Sequence, residues 1–561
     1  MEELKNAGKR LRATLDHYFS VCSRMDDLSS REGVLRSVPQ RLLHDINTEI
    51  AHFASYQPKI QQVETTVRRV RNRLFRITPM AALHPEILAH IFDLVAKPCD
   101  LRVIAAEDFD PESPTCSDQS EDRNADPRSG LERRRYRTWQ LDNFPTHLDH
   151  ISRVCSYWRR VAINSPSLWT HIDLIPHKSL HRELLARAEM YIARAHQLPI
   201  ELHAVDSNPL AYNRAILSQF LSLIRDRVKS LDIHVTHSWR QFHFLVLNGI
   251  FSDRTPYPTV LTQLTTSFPM ADDDTDEFID WFIDNNDGFR YLTVMHLHGL
   301  LPLWGSAAYH NLVDLRLTSP TDERWTHIPE ENIRNILEAS PGLHILYFSL
   351  QITGQPRDDE SAIPVSLNNL EVLNISTYRC NEDPVLRPGD ILRLLAPGFK
   401  PLRLSIWHSP KDGDFDDHGF SLEELIGFFK RSNVTKFSAK YACPQLDKLL
   451  CYAPNLEDLA FESCMFGWQG TNLFRRGSPV KSSLNSLVLY HCSPSLDQIE
   501  LLLQEHPAEQ LLLCRCDWDY IEDSSGVRSP VRQVSELLER YPTSKLIIQP
   551  SNPTVHWDMI D

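Results

Sequence analysis

Three stretches toward the end of the chain repeat one residue spacing: Leu456-x-x-Leu459-x-Phe461-x-x-Cys464, Leu484-x-x-Leu487-x-Leu489-x-x-Cys492 and Ala508-x-x-Leu511-x-Leu513-x-x-Cys516. Two apolar residues separated by one position are typical of a β-strand with one buried face. A cysteine three positions later suits the turn out of the strand, because a buried thiol behaves as a small hydrophobic group and donates weakly to carbonyls. We therefore predict three strands, each followed by a structural thiol.

The same apolar spacing recurs upstream without the cysteine. The clearest copies have central residues Leu231, Met295, Leu315, Leu346 and Leu373, and weaker copies centre on Leu264, Leu404 and Phe437. The cysteine-bearing copy centred on Leu511 is also weak, because it begins with an alanine. Successive centres lie 20 to 33 residues apart, which is enough for one strand, one helix and two turns. Helical patterns fill two of the gaps, at Ile333-Ile336-Leu337 and at Leu422-Leu425-Ile426-Phe428-Phe429. These observations predict an α/β repeat protein.

The three cysteine-bearing copies resemble the leucine-rich repeat, whose pattern L-x-x-L-x-L-x-x-N/C-x-L they match through its ninth position. The resemblance implies an irregular leucine-rich-repeat solenoid over 176–550, with a tail at 551–561. In such arrays each unit buries its apolar face against its neighbours, and parallel strands line one wall. The predicted outward residues differ between repeats, with Asp314 and Arg316 in one and Glu371 and Asn374 in another. An irregular polar surface of this kind suits the binding of a protein substrate that the sequence does not identify.

Residues 1–76 are predicted to form a helical leader, partly like a coiled coil. Its apolar residues from position 53 follow a spacing of three and four: Phe53, Tyr56, Ile60, Val63, Val67, Val70 and Leu74. Proline breaks a helix interior, so Pro58 predicts one helix ending near Tyr56 and a second over about 59–76. Arginines on the second helix indicate a solvated polar face, with an acidic partner or a membrane surface as the alternative.

The segment from about 98 to 146 has a different composition. Residues 107–126 contain eight acids and one arginine with almost no apolar side chains. Such a segment cannot bury enough apolar surface to offset the entropy lost on ordering. We predict a disordered charged insert.

Two helical patterns flank this insert. The first begins Leu83-His84-Pro85-Glu86-Ile87-Leu88, and it carries too many apolar residues for a single narrow stripe. Pro85 suits a first helical turn, and Glu86 is favoured there by the helix dipole. The second pattern spans Ile151 to Ala162 as one helix, and a Pro166-x-Leu168-Trp169 turn follows it.

Together these two patterns resemble the F-box of fungal F-box proteins, in which L-P-P-E-I-L-x-x-I-F precedes a V-C-x-x-W-R helix and a P-x-L-W turn. The resemblance implies a small helical bundle over 77–175. It also implies binding to the Skp adaptor of a Skp/cullin/F-box ubiquitin ligase. The residues implied to touch the adaptor are Leu83, Pro85, Glu86, Ile87, Leu88 and Ile91. Those implied to hold the bundle together are Phe92, Val154, Cys155, Trp158, Arg159, Ala162, Leu168 and Trp169. The sequence departs from the family at His84, where proline is usual, and in the long insert.

Composition excludes several function classes. The chain of 561 residues has 18 glycines and a formal charge of −15, and it lacks the Gly-rich phosphate loops of nucleotide-binding enzymes. The negative charge opposes nucleic-acid binding, and no apolar run is long enough for a membrane span. Eleven cysteines without a C-x-x-C pair indicate reduced thiols in the cytoplasm or nucleus. The loop from Asp414 to Gly419 resembles an incomplete calcium loop, but Leu425 stands where a bidentate Glu is needed.

We therefore expect a substrate receptor that is not an enzyme and that needs no cofactor or metal. The alternative is a leucine-rich-repeat scaffold or signalling protein without a ligase role, in which the helical bundle only caps the repeats.

Overall fold

The structure, a computed structural model, describes residues 2–31, 40–73, 83–96, 147–175, 181–205, 213–235, 241–251, 260–268, 278–279, 289–319, 326–354, 363–377, 387–408, 422–441, 452–464, 484–492, 499–500, 503–504, 507–516, 545–548, 554 and 557. The predicted disordered insert at about 98–146 lies outside the described residues. The calcium-like loop at 414–419 also lies outside them. Internal contacts divide the chain into two compact units, Met1–Leu88 and Ala89–Asp561.

The described helices are α1 (Glu2–Arg31), α2 (Gln40–Arg73), α3 (Pro85–Ala96), α4 (His147–Val154), α5 (Ser156–Ile163), α6 (His181–Arg194), α7 (Arg214–Ile224), α8 (Gln241–Phe251), α9 (Glu330–Ala339), α10 (Pro388–Leu392) and α11 (Leu422–Lys430). Short 3-10 turns occur at Pro166–Trp169, Arg225–Arg227 and Ala307–Tyr309. The helical patterns predicted around Ile333 and Leu425 are confirmed as α9 and α11. Among the described residues, no helix has the length and apolar character needed to cross a bilayer.

The leader differs from its prediction at Pro58, because α2 runs through this proline without a break. Proline removes one helical hydrogen bond, which leaves the carbonyl four residues earlier, at Ala54, without its usual donor. Ala54 is exposed, so water can satisfy that carbonyl. Within the first unit, Tyr18 of α1 stacks on Phe53 of α2 with ring centroids 6.2 Å apart, and its hydroxyl donates to Glu49 Oε2 at 3.2 Å.

The strands are β1 (His171–Leu174), β2 (Ile200–Val205), β3 (Val228–His234), β4 (Gln263–Ser267), β5 (Phe278–Ile279), β6 (Val294–His298), β7 (Leu301–Pro302), β8 (Asp314–Thr318), β9 (His327–Pro329), β10 (Ile345–Ser349), β11 (Gln351–Thr353), β12 (Val365–Leu367), β13 (Val372–Thr377), β14 (Leu395–Pro397), β15 (Leu402–His408), β16 (Val434–Lys440), β17 (Asp458–Glu462), β18 (Leu484–Tyr490), β19 (Ala508–Cys514) and β20 (Lys545–Ile548). Within the described residues, fourteen of them form one parallel sheet in the order β1-β2-β3-β4-β6-β8-β10-β13-β15-β16-β17-β18-β19-β20. Three two-stranded pairs, β5 with β7, β9 with β11 and β12 with β14, accompany it.

The predicted repeat centres pair with one another across this sheet. Leu231 pairs with Leu264, which pairs with Met295, and the same register continues through Leu487 to Leu511. Each of these side chains is buried. The register explains the variable repeat length, because insertions between strands leave the alignment of the apolar centres unchanged. The result is an α/β fold with N-terminal helices and a large parallel sheet, consistent with a solenoid-like arrangement.

The sheet begins earlier than predicted. β1 lies at His171–Leu174, inside the segment assigned to the helical bundle, and β2 precedes the first recognised repeat. Their apolar residues Ile172 and Leu202 align with Leu231 of β3. The first position of the spacing is Trp169 before β1 and Pro199 before β2, so neither strand has the leucine that is typical there.

The three repeat cysteines end their strands as predicted. Cys464 Sγ donates to Ala439 O at 3.5 Å, Cys492 Sγ to Phe461 O at 3.4 Å and Cys516 Sγ to Leu489 O at 3.2 Å. Each acceptor belongs to the preceding strand of the sheet. The residue just before each cysteine has a positive φ, near 50°, which turns the chain out of the strand. The thiols therefore tie successive repeats together.

Candidate interaction surfaces

Helix α3 begins at Pro85, as its sequence predicts. His84 Nδ1 contacts the carboxylate of Glu86 in the first turn, and Leu88 N donates to His84 O at 3.0 Å. Among the residues predicted to bind the adaptor, Pro85 and Glu86 are exposed, and Leu83 and Ile91 are half-buried. His84 thus takes part in the start of the helix.

The apolar side chains of α3 divide into buried and exposed groups. Leu88 is 0% exposed and Phe92 2%, whereas Ile87 is 54%, Leu94 54% and Val95 52% exposed. This arrangement corrects the prediction that Leu88 presents a contact surface, because a fully buried side chain supports the helix instead. The large apolar side chains of the helix that are more than half exposed are those of Ile87, Leu94 and Val95.

The second helical pattern differs from the predicted single helix, because the chain breaks at Cys155. There α4 ends and α5 begins, with Cys155 as the N-cap residue and its Sγ accepting from Trp158 N at 3.4 Å. Arg159 Nε spans the break by donating to Ser152 O at 2.8 Å. Val154, predicted to be structural, is the last residue of α4, and its side chain is 59% exposed.

The remaining predicted bundle residues pack together. Phe92 contacts Trp158 with ring centroids 5.0 Å apart. Ala162, Leu168 and Trp169 are buried, and Trp169 Nε1 donates to Ala162 O at 2.7 Å. The guanidinium of Arg194 in α6 lies 4.3 Å from the centre of the Trp169 ring. The Pro166–Trp169 turn therefore joins α5 to the start of the sheet.

One face of the large sheet carries the side chains between the two buried apolar positions of each strand. We call it the open face. Its middle row consists of Asp173, His203, Asp232, Thr265, His296, Arg316, Tyr347, Asn374, Ser405, Ser438, Ala460, Val488 and Leu512. The row is charged and rich in histidine at its beginning and apolar at its end. The row therefore differs from strand to strand, and its members Thr265, Ser438, Ala460 and Val488 are buried.

Asp314 organises the centre of the open face. Its Oδ2 lies 2.9 Å from His296 Nε2 and 2.9 Å from Arg316 Nη2, and the Arg316 guanidinium lies 4.3 Å from the centre of the Tyr347 ring. Burial alone would raise the pKa of Asp314, but the hydrogen bonds from His296 and Arg316 hold that pKa below its ordinary value. The carboxylate is therefore ionised and fully engaged at neutral pH.

Lysines and aromatic rings continue the open face. Lys440 Nζ lies 4.2 Å from the centre of the Trp407 ring and 2.7 Å from Glu462 Oε1. Lys436 Nζ lies 3.0 Å from Asp458 Oδ2 and 5.4 Å from the centre of the Trp557 ring. Each lysine is thus held between a carboxylate and an aromatic ring, an arrangement that stabilises the cation.

Comparisons with known proteins give no family. No protein-family model matches the sequence, and no curated protein matches it. Among solved structures, a Bacteroides fragilis protein aligns with 14% sequence identity over 59% of this chain and 83% of its own. Its TM-score is 0.23, which carries no argument about fold or function.

The sequence did not reveal one cluster at the first strand pair. His171 and Asp173 of β1 and His203 of β2 come together there. Burial alone would lower the pKa of His171, but the hydrogen bond to Asp173 and the negative charges of Asp173 and Glu201 raise it to about 9. Burial would also raise the pKa of Asp173, whereas the two histidines hold it well below its ordinary value. Two features of the sequence could have indicated it. One is the His171-x-Asp173 spacing, and the other is His203, which occupies on the next strand the position that Asp173 occupies on the first.

Proposed function

We propose that this chain is the substrate-recognition subunit of a Skp/cullin/F-box ubiquitin ligase. In this proposal α3 binds the Skp adaptor, and the open face binds a protein substrate. The observation that carries the proposal is that α3, which has the F-box-like sequence, presents the apolar side chains of Ile87, Leu94 and Val95 to solvent. Exposed apolar groups on one helix are characteristic of a site for a protein partner.

The packing of the second F-box-like segment supports the same assignment. The resemblance expects a V-C-x-x-W-R helix followed by a P-x-L-W turn. In the structure Trp158 contacts Phe92 of α3, and Trp169 is bound to the end of α5 through Ala162. The two F-box-like segments thus lie together despite the insert between them. The long insert adds little to the free-energy cost of bringing the two segments together, because the entropic cost of closing a loop rises only logarithmically with its length.

For the sheet we propose a leucine-rich-repeat solenoid. The aligned centres, such as Leu459 with Leu487, and the thiol contacts of Cys464, Cys492 and Cys516 support it. Each thiol occupies the ninth position of the repeat pattern, where a buried polar group satisfies backbone carbonyls. The open face then corresponds to the strand-lined wall that repeat proteins use for binding.

The proposed mechanism is proximity. The chain holds the adaptor with α3 and the substrate with the open face. A separate catalytic subunit of the ligase then transfers ubiquitin to the substrate. Holding two reactants together replaces a bimolecular encounter by an effectively unimolecular one. No side chain of this protein takes part in bond making in this scheme, and it operates in the cytoplasm or nucleus.

Co-purification of the full chain with a Skp adaptor tests the proposal. Ile87→Asp places a charge at the proposed contact without disturbing a buried position, and we expect at least a tenfold loss of adaptor binding. Leu223→Asp is the matched control, because Leu223 is 69% exposed on α7 and lies in the repeat region. Leu88→Asp is unsuitable, since it would bury a charge and unfold the helix.

Equal adaptor binding by the wild-type chain and Ile87→Asp would contradict the proposed contact. If the wild-type chain recovers no adaptor but retains other partners, the scaffold alternative is favoured. Far-UV circular dichroism of both variants establishes that they remain folded.

A further inference from the structure

His171, Asp173 and His203 form a cluster at the first two strands of the open face. Each offers one ligand atom, and the three atoms lie within 4.8 Å of one another. Asp173 Oδ1 stands between the rings, 3.2 Å from His171 Nε2 and 3.2 Å from His203 Nδ1. The cluster arises because β1 and β2 pair in parallel with Asp173 opposite His203.

These spacings suit a tetrahedral metal ion. Bonds of about 2.0 to 2.1 Å to nitrogen and oxygen place neighbouring ligands roughly 3.3 Å apart around tetrahedral zinc. Both nitrogen-to-carboxylate distances in the cluster already have this length, at 3.2 Å. The two histidine nitrogens lie within 4.8 Å of each other, so binding one ion would require the rings to turn from Asp173 Oδ1 toward the shared ion.

The surroundings of His171 supply a second, independent observation. Its Nδ1 is buried and has no hydrogen-bond partner among the described residues. The Glu201 carboxylate lies 3.7 Å from that nitrogen. Histidines that bind metals typically donate the other ring N–H to a carboxylate, which fixes the ring and its tautomer. Nε2 of His171 faces Asp173, and Glu201 lies beside the other ring nitrogen, Nδ1, which is where this role requires a carboxylate.

Asp173 supplies the carboxylate of the cluster. In the described part of the chain, the ion pairs of Asp173 are with the two histidines, and no lysine or arginine takes part. Asp232 follows His203 at the same register position on β3, which adds a further carboxylate to this end of the open face. The side chains of Asp173 and His203 are 10% and 11% exposed, so a bound ion would be shielded from most of the solvent.

A second histidine and aspartate pair on the open face shows the contrasting case. His296 Nε2 lies 2.9 Å from Asp314 Oδ2, but the Arg316 guanidinium binds both oxygens of the same carboxylate. A protein cation therefore already occupies the position that a metal would need. The first cluster has a second histidine instead of that arginine.

We propose that His171, Asp173 and His203 bind one zinc ion at the beginning of the open face, with Glu201 orienting His171. Two imidazoles and one carboxylate are a donor set that suits zinc, whereas calcium and magnesium prefer oxygen ligands. Three protein ligands leave a fourth position for water or for a side chain of a bound protein. The site would thus add a metal-dependent contact to the open face, and the inference does not depend on the ligase proposal.

Zinc binding by the full chain tests the proposal. The protein is stripped with a chelator and dialysed against low-micromolar Zn²⁺ at pH 8, and bound metal is measured by mass spectrometry. We expect one equivalent for the wild-type chain, and loss of that equivalent in Asp173→Asn and His203→Gln. Asp314→Asn is the matched control and should retain it, because Arg316 excludes a metal there.

Cobalt provides a readout of geometry. Co²⁺ bound by two imidazoles and a carboxylate in tetrahedral geometry absorbs visible light strongly, and surface histidines do not produce this signal. We expect the visible band in the wild-type chain and in Asp314→Asn, and its absence in Asp173→Asn. Equal metal content and equal spectra in the wild-type chain and both cluster variants would overturn the proposal. Circular dichroism excludes unfolding as the reason for a loss, and His171→Gln replaces any variant that fails to fold.

Discussion

The indole N–H of Trp169 donates to the carbonyl oxygen of Ala162 at 2.7 Å, and both residues are fully buried. This bond ties the end of α5 to the turn that enters the sheet. The same carbonyl also accepts from Ser165 N at 3.3 Å, and the indole is its shorter partner. The bond therefore joins the helical segment to the first strand at one defined point.

Replacing Trp169 by Phe should remove this bond and leave a small cavity. We expect the free energy of unfolding to fall by about 2 to 4 kcal/mol, from the lost indole hydrogen bond together with lost packing, while Ser165 N continues to donate to the Ala162 carbonyl at 3.3 Å. Urea denaturation followed by circular dichroism measures the change. Trp158→Phe is the control, because Trp158 is half-buried and its ring contact with Phe92 is kept by phenylalanine. Surface substitutions usually change stability by no more than about 0.5 kcal/mol, and a loss that small for Trp169→Phe would contradict the role of the bond.

Asp314→Asn should make stability less dependent on acid pH. The folded-state pKa of Asp314 is depressed, so its ionised form stabilises the protein above the unfolded value of 3.8, and this contribution is lost as pH falls through the lower folded value. We expect the variant to be less stable than wild type by about 1 to 3 kcal/mol at pH 7, with the difference shrinking below pH 4. Urea midpoints at pH 7, 5 and 3.5 measure it. A constant difference across this range would show that Asp314 acts through its shape alone.

The repeat cysteines should resist alkylation in the folded protein. Burial raises the pKa of the Cys516 thiol to about 11, so very little thiolate is present at pH 8. Cys464 is buried, whereas Cys22 on α1 is exposed. Brief treatment with iodoacetamide followed by peptide mass spectrometry should label Cys22 first and the two repeat thiols only after denaturation. Equal labelling rates in the folded chain would contradict this arrangement.

Gly249 should not tolerate a methyl group. A Cβ at Gly249 of α8 would lie 2.9 Å from Leu221 Cβ of α7, closer than two such atoms approach. We therefore expect Gly249→Ala to destabilise the protein by about 1 to 3 kcal/mol, although alanine is the better helix former. Gly342→Ala is the matched control, because no atom lies within 4 Å of its added Cβ. Thermal unfolding of both variants measures the difference, and equal midpoints would contradict the close packing of α7 on α8.

Local sequence signals predicted elements well where one interaction dominated. The aligned leucines marked their strands because a strand buries alternate residues, and no other contact competes with that requirement. Pro58 and Cys155 were interpreted wrongly for opposite reasons. At Pro58 an exposed carbonyl made the helix break unnecessary, and at Cys155 a side-chain cap ended a helix whose apolar spacing continued. Neither solvent access nor a capping geometry is visible in residue spacing.

The sequence by itself determined the repeat register of this protein. Apolar centres such as Leu231 and Leu264 align whatever the length between them, because each strand has only one way to bury them. Only the tertiary structure decided which polar side chains meet. His171 and His203 are separated by a whole helix in sequence, yet they share the Asp173 carboxylate because parallel pairing places their strands side by side. Pairing also brings His296 to the Asp314 carboxylate, which already binds Arg316 of its own strand. Contacts of this kind depend on neighbouring strands, so no single repeat encodes them.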